Sequence, residues 1–159
     1  EADIRPALRE LGGSGRHVYL PAVDEAQRGI MRFAPWEPQV SLPRLNRYGI
    51  PEPDLAHAQD ANALDLILAP LVAFCPQGGR LGAGAGYYDR ACAQLDRQRT
   101  WLIGIAFSFQ EVENLPLEPW DIPLDGVFTV HGLVACNARL EATLAPPLND
   151  QEHDEWPTG

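Results

Sequence analysis

The chain of 159 residues contains no lysine: its basic side chains are 12 arginines, set against 22 acidic groups, for a formal charge of −10. A Schiff-base mechanism and the lysine of a Walker-type phosphate loop are therefore excluded within this chain. The acidic balance argues against a nucleic-acid partner, because neutralising phosphates needs a basic face. Cysteine is scarce. Cys75, Cys92 and Cys136 are odd in number and include no C-x-x-C pair, so neither a disulfide framework nor a cysteine zinc site is indicated, and a reducing cytoplasm suits them. His17, His57, His131 and His153 are scattered without metal-ligand spacing. The longest apolar run, residues 64–70, is too short to span a bilayer, and no basic segment leads into an apolar one at the start. No membrane is expected as a partner. The chain opens on Glu1 and its single methionine is Met31, which leads to the expectation that the gene product begins upstream.

What is present reads as one domain. Residues 3–11 carry Ile4, Ala7, Leu8 and Leu11 at helical spacing, and the glycines after them predict a stop. Residues 16–20, closed by Pro21, and residues 30–33 read as strands. Five prolines between positions 34 and 53 exclude any long regular element there. Residues 64–69 are nearly continuous apolar, the pattern of a strand buried on both faces of a parallel sheet. A glycine-rich loop follows, then a helical pattern over residues 87–97, and strands over 101–107 and 126–130. Strand, glycine loop, helix and strand in that order predict an α/β fold, a three-layer sandwich around a mostly parallel sheet. Residues 146–159 are acidic and proline-bearing and read as a disordered tail behind a domain of residues 1–145.

The informative stretch runs from Gly78 to Arg90 and holds Gly78, Gly79, Gly82, Gly84 and Gly86 beside Arg80 and the triplet Tyr87, Tyr88, Asp89. Alternating glycines let a backbone approach a ligand closely and aim successive amides at one anion, and a helix start adds partial positive charge. The spacing matches neither the dinucleotide fingerprint nor the Walker loop. A phosphate cradle and a ligand-free strand-to-helix turn are the two readings of such a loop; five glycines with an arginine and Tyr-Tyr-Asp favour the cradle.

At these residues the sequence resembles the 5-formyltetrahydrofolate cyclo-ligase (methenyltetrahydrofolate synthetase) family, through Arg80-Leu81-Gly82-x-Gly84-x-Gly86-Tyr87-Tyr88-Asp89. Companion patterns follow in the family's order: Leu20-Pro21, Met31-x-Phe33, Ile50-Pro51-Glu52-Pro53, Val72-Ala73-Phe74, Gly104-Ile105-Ala106-Phe107 with Gln110, and Pro116-x-Glu118-x-x-Asp121. The resemblance implies an ATP- and Mg2+-dependent ring closure of 5-formyltetrahydrofolate to 5,10-methenyltetrahydrofolate, with release of ADP and phosphate, in a cytoplasmic, monomeric enzyme of one-carbon metabolism. No protein nucleophile is required, so catalysis is positioning and charge stabilisation.

The same resemblance implies the site residues. Arg80, Leu81, Gly82, Ala83, Gly84, Ala85, Gly86, Tyr87 and Tyr88 would hold the ATP, with Arg80, Tyr87 and Tyr88 acting on the reacting groups. Asp89 and Asp121 would coordinate magnesium, a hard cation that takes oxygen ligands. Glu1, Met31, Phe33, Tyr48, Tyr87 and Tyr88 would contact the folate. The family's basic N-terminal helix has no counterpart before Glu1, Cys75 stands where relatives place an aspartate, Ala85 where Gly or Lys is usual, and Trp120 where histidine is common. These departures motivate an alternative, a non-catalytic relative that binds a folate or nucleotide. A sugar-phosphate or coenzyme A enzyme of similar architecture rests on fold analogy alone.

Overall fold

The structure is a computed structural model that describes residues 3–27 and 30–145. Glu1 and the expected tail, residues 146–159, lie outside the described residues. Helix α1 (Arg5–Gly13) forms where Ile4, Ala7, Leu8 and Leu11 make one apolar stripe and Pro6 occupies the first turn, where its missing N–H is not needed. The helix runs through Gly12 and Gly13 instead of stopping before them, and closes at Ser14, whose hydroxyl donates to Leu11 O at 2.8 Å.

Strands β1 (Val18–Asp24) and β2 (Ile30–Trp36) form an antiparallel ribbon that pairs Val18 with Trp36 and Asp24 with Ile30. The sequence reading closed the first strand at Pro21, yet β1 continues through it. In a two-stranded ribbon each strand has a free edge, where a residue without N–H is tolerated. The proline-rich stretch that follows contains the end of β2 and the short antiparallel pair β3 (Arg44–Leu45) and β4 (Pro51–Glu52).

The central sheet joins β5 (Leu66–Pro70), β8 (Trp101–Ile105), β9 (Gly126–Thr129) and β10 (Gly132–Ala135) in the order β10-β9-β8-β5. β5, β8 and β9 are parallel, whereas β9 and β10 form an antiparallel hairpin, so the sheet is mixed. Between β5 and β8 lie the small hairpin β6 (Ala73–Phe74) and β7 (Arg80–Leu81), then α2 (Tyr87–Cys92); α3 (Ala138–Leu144) closes the described chain. The molecule is thus a single α/β domain with a mixed sheet and three helices among the described residues. α2 ends at Cys92, well short of the predicted 97, because Ala93 N and Leu95 N bond carbonyls three residues back, and Asn62 Oδ1 takes the Asp96 amide at 2.7 Å.

The core gathers Ile67, Leu102, Leu124 and Val127 from the sheet and its approach loop, and Met31 and Phe33 from the ribbon. One buried carboxylate holds the far end together. Asp125, 1% exposed, accepts from Leu102 N at 2.8 Å, Arg97 Nη2 at 2.6 Å and Asn137 Nδ2 at 2.7 Å. Asn137 in turn caps α3 by accepting from Leu140 N at 3.0 Å.

Candidate active site

The glycine segment leaves the sheet at the C-terminal end of β5 and returns through α2, the end at which parallel α/β sheets bind ligands. Its glycines divide by task. A Cβ on Gly78 would meet Leu124 O at 2.6 Å, and one on Gly79 would meet Cys75 Sγ at 2.8 Å, so this pair serves close packing. Around Gly82 and Gly84 there is open space, and Gly84 has φ +88°, a left-handed conformation that disfavours side chains. The amides of residues 82–86 donate to no protein acceptor among the described residues. Their N–H groups are therefore free to meet an anion. α2 spans only six residues and starts from Gly86, so the cradle rests on loop amides more than on the helix dipole anticipated from the sequence.

Arg80 is 6% exposed at its side chain and faces inward. Its guanidinium donates to Asp89 Oδ1 at 2.5 Å and to Ile122 O at 2.5 Å, binding α2 to the loop before β9. Asp89 Oδ1 also accepts from Ile122 N at 3.3 Å, which places Asp89 one residue from Asp121 although 32 positions separate them in sequence. Asp121 Oδ2 accepts from Glu118 N at 2.8 Å. Each aspartate thus keeps one carboxylate oxygen without a hydrogen bond among the described residues.

No group of three or more potential side-chain ligands converges among the described residues. A divalent cation here would be completed by phosphate oxygens and water. That is how magnesium is held, by one or two carboxylates plus substrate phosphates, and the donor set fits it.

A cavity of about 880 Å³ reaches Tyr88 of α2 and is lined also by Tyr19, Phe33, Ile67, Leu68 and Ile105 among others. Its size and largely apolar wall suit a flat organic ligand. Tyr88, which lines this cavity, stands in sequence between the free loop amides and Asp89, so a polyphosphate at the amides can lie beside an aromatic substrate.

The model of the 5-formyltetrahydrofolate cyclo-ligase family matches residues 1–130. The chain belongs to that family. It is 40% identical over 131 residues to the 5-formyltetrahydrofolate cyclo-ligase of Escherichia coli K12, covering 81% of this chain and 71% of that one. The Haemophilus influenzae cyclo-ligase is 35% identical over 126 residues, with 78% and 67% covered. Among solved structures, the 5,10-methenyltetrahydrofolate synthetase of Aquifex aeolicus superposes with a TM-score of 0.71 at 28% identity, covering 98% of this chain and 73% of that one.

For this cyclo-ligase family member, the residues singled out in the sequence fall into three places. Residues 80–89 and Asp121 come together around the Arg80–Asp89 pair. Phe33 and Tyr88 share the cavity wall, and Met31, 7% exposed, packs in the adjoining core. Tyr48 stands 59% exposed on the turn between β3 and β4, and reaches the site through Arg47, whose guanidinium lies 4.8 Å from the Tyr48 ring and 6.0 Å from the Tyr87 ring.

Sequence reasoning missed the scaffold of that turn. Glu52, 4% exposed, accepts from Val23 N at 3.1 Å and Asn46 Nδ2 at 2.9 Å, and Asn46 Oδ1 accepts from the amides of Tyr48 and Ile50. The Asn-x-x-Gly pattern at residues 46–49 was the available signal for a tight turn. Cys92 and Cys136 are held neutral by burial, which pushes each thiol up to about 11. Neither has the character of a nucleophile.

Proposed function

We propose that this chain catalyses the ATP-dependent cyclisation of 5-formyltetrahydrofolate to 5,10-methenyltetrahydrofolate, releasing ADP and phosphate. The observation that carries the reading is the set of free amides at residues 82–86, followed at once by Tyr88 on the wall of an apolar cavity and by Asp89, whose Oδ1 accepts from Ile122 N next to Asp121. In this reading the amides of Gly82, Ala83, Gly84, Ala85 and Gly86 bind the phosphates, with Leu81 leading the strand into them. Tyr87 and Tyr88 border the formyl group and exclude water from it. Met31, Phe33 and Tyr48 form the folate wall, and Glu1 recognises the pterin.

The substrate's formyl oxygen takes the γ-phosphoryl group, its neighbouring amine closes onto the activated carbon, and phosphate departs. The protein acts by holding these groups in line. Arg80 holds Asp89 and, through Ile122 O, the loop that carries Asp121, which keeps the two aspartates on neighbouring segments. Magnesium, when bound by Asp89 and Asp121, would neutralise charge on the phosphate oxygens.

The family resemblance and the two parallel pairings among the sheet's three also support the finer architecture expected from the sequence, three layers about a mostly parallel sheet. A monomer working in the cytoplasm completes the proposal; no helix among the described residues is long and apolar enough to cross a membrane.

The test follows the near-ultraviolet absorbance of the methenyl product with ATP, magnesium and 5-formyltetrahydrofolate. The band should grow, stop when magnesium is chelated, and be abolished by Asp89→Ala in a protein that still folds. Full activity of Asp89→Ala would refute the role given to Asp89. A flat wild-type trace with intact substrate binding would instead favour a folate-binding relative without turnover.

A further inference from the structure

Arg80 has its guanidinium engaged by Asp89 and Ile122, and the chain has no lysine. Other arginines can add positive charge for a polyphosphate at the free amides, and two stand close to the adjoining Tyr87. Arg90 on α2 lies 5.2 Å from the Tyr87 ring centroid and donates to Ala85 O at 2.9 Å, so it is tied to the loop backbone. Arg47 lies over Tyr48 and Tyr87, donates to the Tyr48 hydroxyl at 2.7 Å, and is exposed. It forms no ion pair among the described residues, and neither does Arg90.

The turn that carries Arg47 is fixed from below. Asn46 Oδ1 accepts from Tyr48 N at 2.9 Å and Ile50 N at 3.0 Å, Gly49 N donates to Asn46 O at 2.9 Å, and Asn46 Nδ2 is anchored on buried Glu52 at 2.9 Å. The side chain itself is held only by ring faces and one hydroxyl. A cation–π contact at an exposed site is weak, whereas a guanidinium on a phosphate gains charge-assisted, bidentate bonds, so a phosphate would displace the rings.

We propose that Arg47 contacts the phosphates of bound ATP at residues 82–86, reaching them across Tyr87 from the turn between β3 and β4. The proposal rests on the cyclo-ligase reading and deepens it. It makes the turn that carries Tyr48 a shared element, tying nucleotide occupancy to the aromatic offered to the folate.

The experiment compares the full chain with Arg47→Ala and Arg47→Lys, varying ATP at saturating 5-formyltetrahydrofolate and the reverse, and titrates each protein with ADP by calorimetry. Arg47→Ala should raise KM for ATP and weaken ADP binding by about tenfold to a hundredfold, the loss of one charge-assisted contact. Arg47→Lys should recover only part of it, because a lysine lacks the planar fork. KM for 5-formyltetrahydrofolate should stay within about twofold in the alanine variant, and its unfolding midpoint should not move, since the side chain is exposed. Unchanged KM for ATP and unchanged ADP affinity would overturn the proposal, as would a rise confined to KM for the folate. A wild-type protein that binds ADP yet forms no product would sink the cyclo-ligase reading alone, leaving the ADP titration to decide on Arg47. Absence of ADP binding in the wild type overturns both.

Discussion

At the scale of single residues, the glycine segment separates packing from binding. Gly78 and Gly79 leave no room for a side chain, while Gly84 sits in open space with a positive φ. Alanine at Gly84 meets no neighbour, so its penalty is conformational, about 1–2 kcal/mol. We expect Gly84→Ala to fold, to raise KM for ATP by tenfold or more because the loop amides are re-aimed, and to leave folate affinity intact. Steady-state kinetics with each substrate varied checks this. Cys92, 1% exposed, gives a second residue-scale prediction. Burial raises its pKa from 9.0 to about 11, so the native state favours the neutral thiol. The stability this confers is complete below pH 9 and is lost as pH rises toward 11, by up to about 3 kcal/mol. Urea midpoints measured across that interval should fall, and should fall less steeply in Cys92→Ala.

Among the elements, Asp125 is the junction. Its carboxylate joins β8 through Leu102 N, the α2–β8 connection through Arg97, and the start of α3 through Asn137. Removing it leaves three donors unsatisfied, one of them charged. Asp125→Ala should destabilise the fold by about 3–5 kcal/mol, and chemical denaturation is the measurement. A loss under about 1 kcal/mol would show that the network is slack. The Arg80–Asp89 pair plays the corresponding part at the site end, joining α2 to the loop before β9. The two carboxylates divide the work: one binds elements together, and the other also keeps an oxygen turned outward.

For the whole molecule, a −10 chain sets two arginines without ion pairs, Arg47 and Arg90, around Tyr87, where the proposed polyanion is to be bound. Arg47 comes from the turn between β3 and β4 and Arg90 from α2, which packs on β2, and both flank Tyr87. The apolar cavity lies between the ribbon and the sheet, lined by Tyr19 and Phe33 from the ribbon and by Ile67 and Ile105 from the sheet. The ribbon supplies aromatic residues to the cavity wall, and the phosphate cradle lies in the connection from β5 to β8.

The sequence by itself determined what short-range patterns encode. Residues 80–89 and the apolar strand before them were legible because glycine spacing and apolar runs are local properties, whereas β5 proves to be an edge strand with Leu66 exposed and is not buried on both faces as its composition suggested. The first helix and the parallel strands were placed to within a few residues for the same reason. The C-terminal hairpin and α3 were not anticipated; there Gly126 approaches Val134 O and Leu140 so closely that only the packed structure accounts for the choice of residue. The early end of α2 was decided by Asn62, 34 positions upstream of Asp96. The pairing of Arg80 with Asp89, the reach of Arg47 to Tyr87 and the burial of Glu52 and Asp125 each depend on chain segments meeting in space. A charged side chain carries no mark in sequence of whether its partner lies within the protein or in a ligand, and only the tertiary structure decides that.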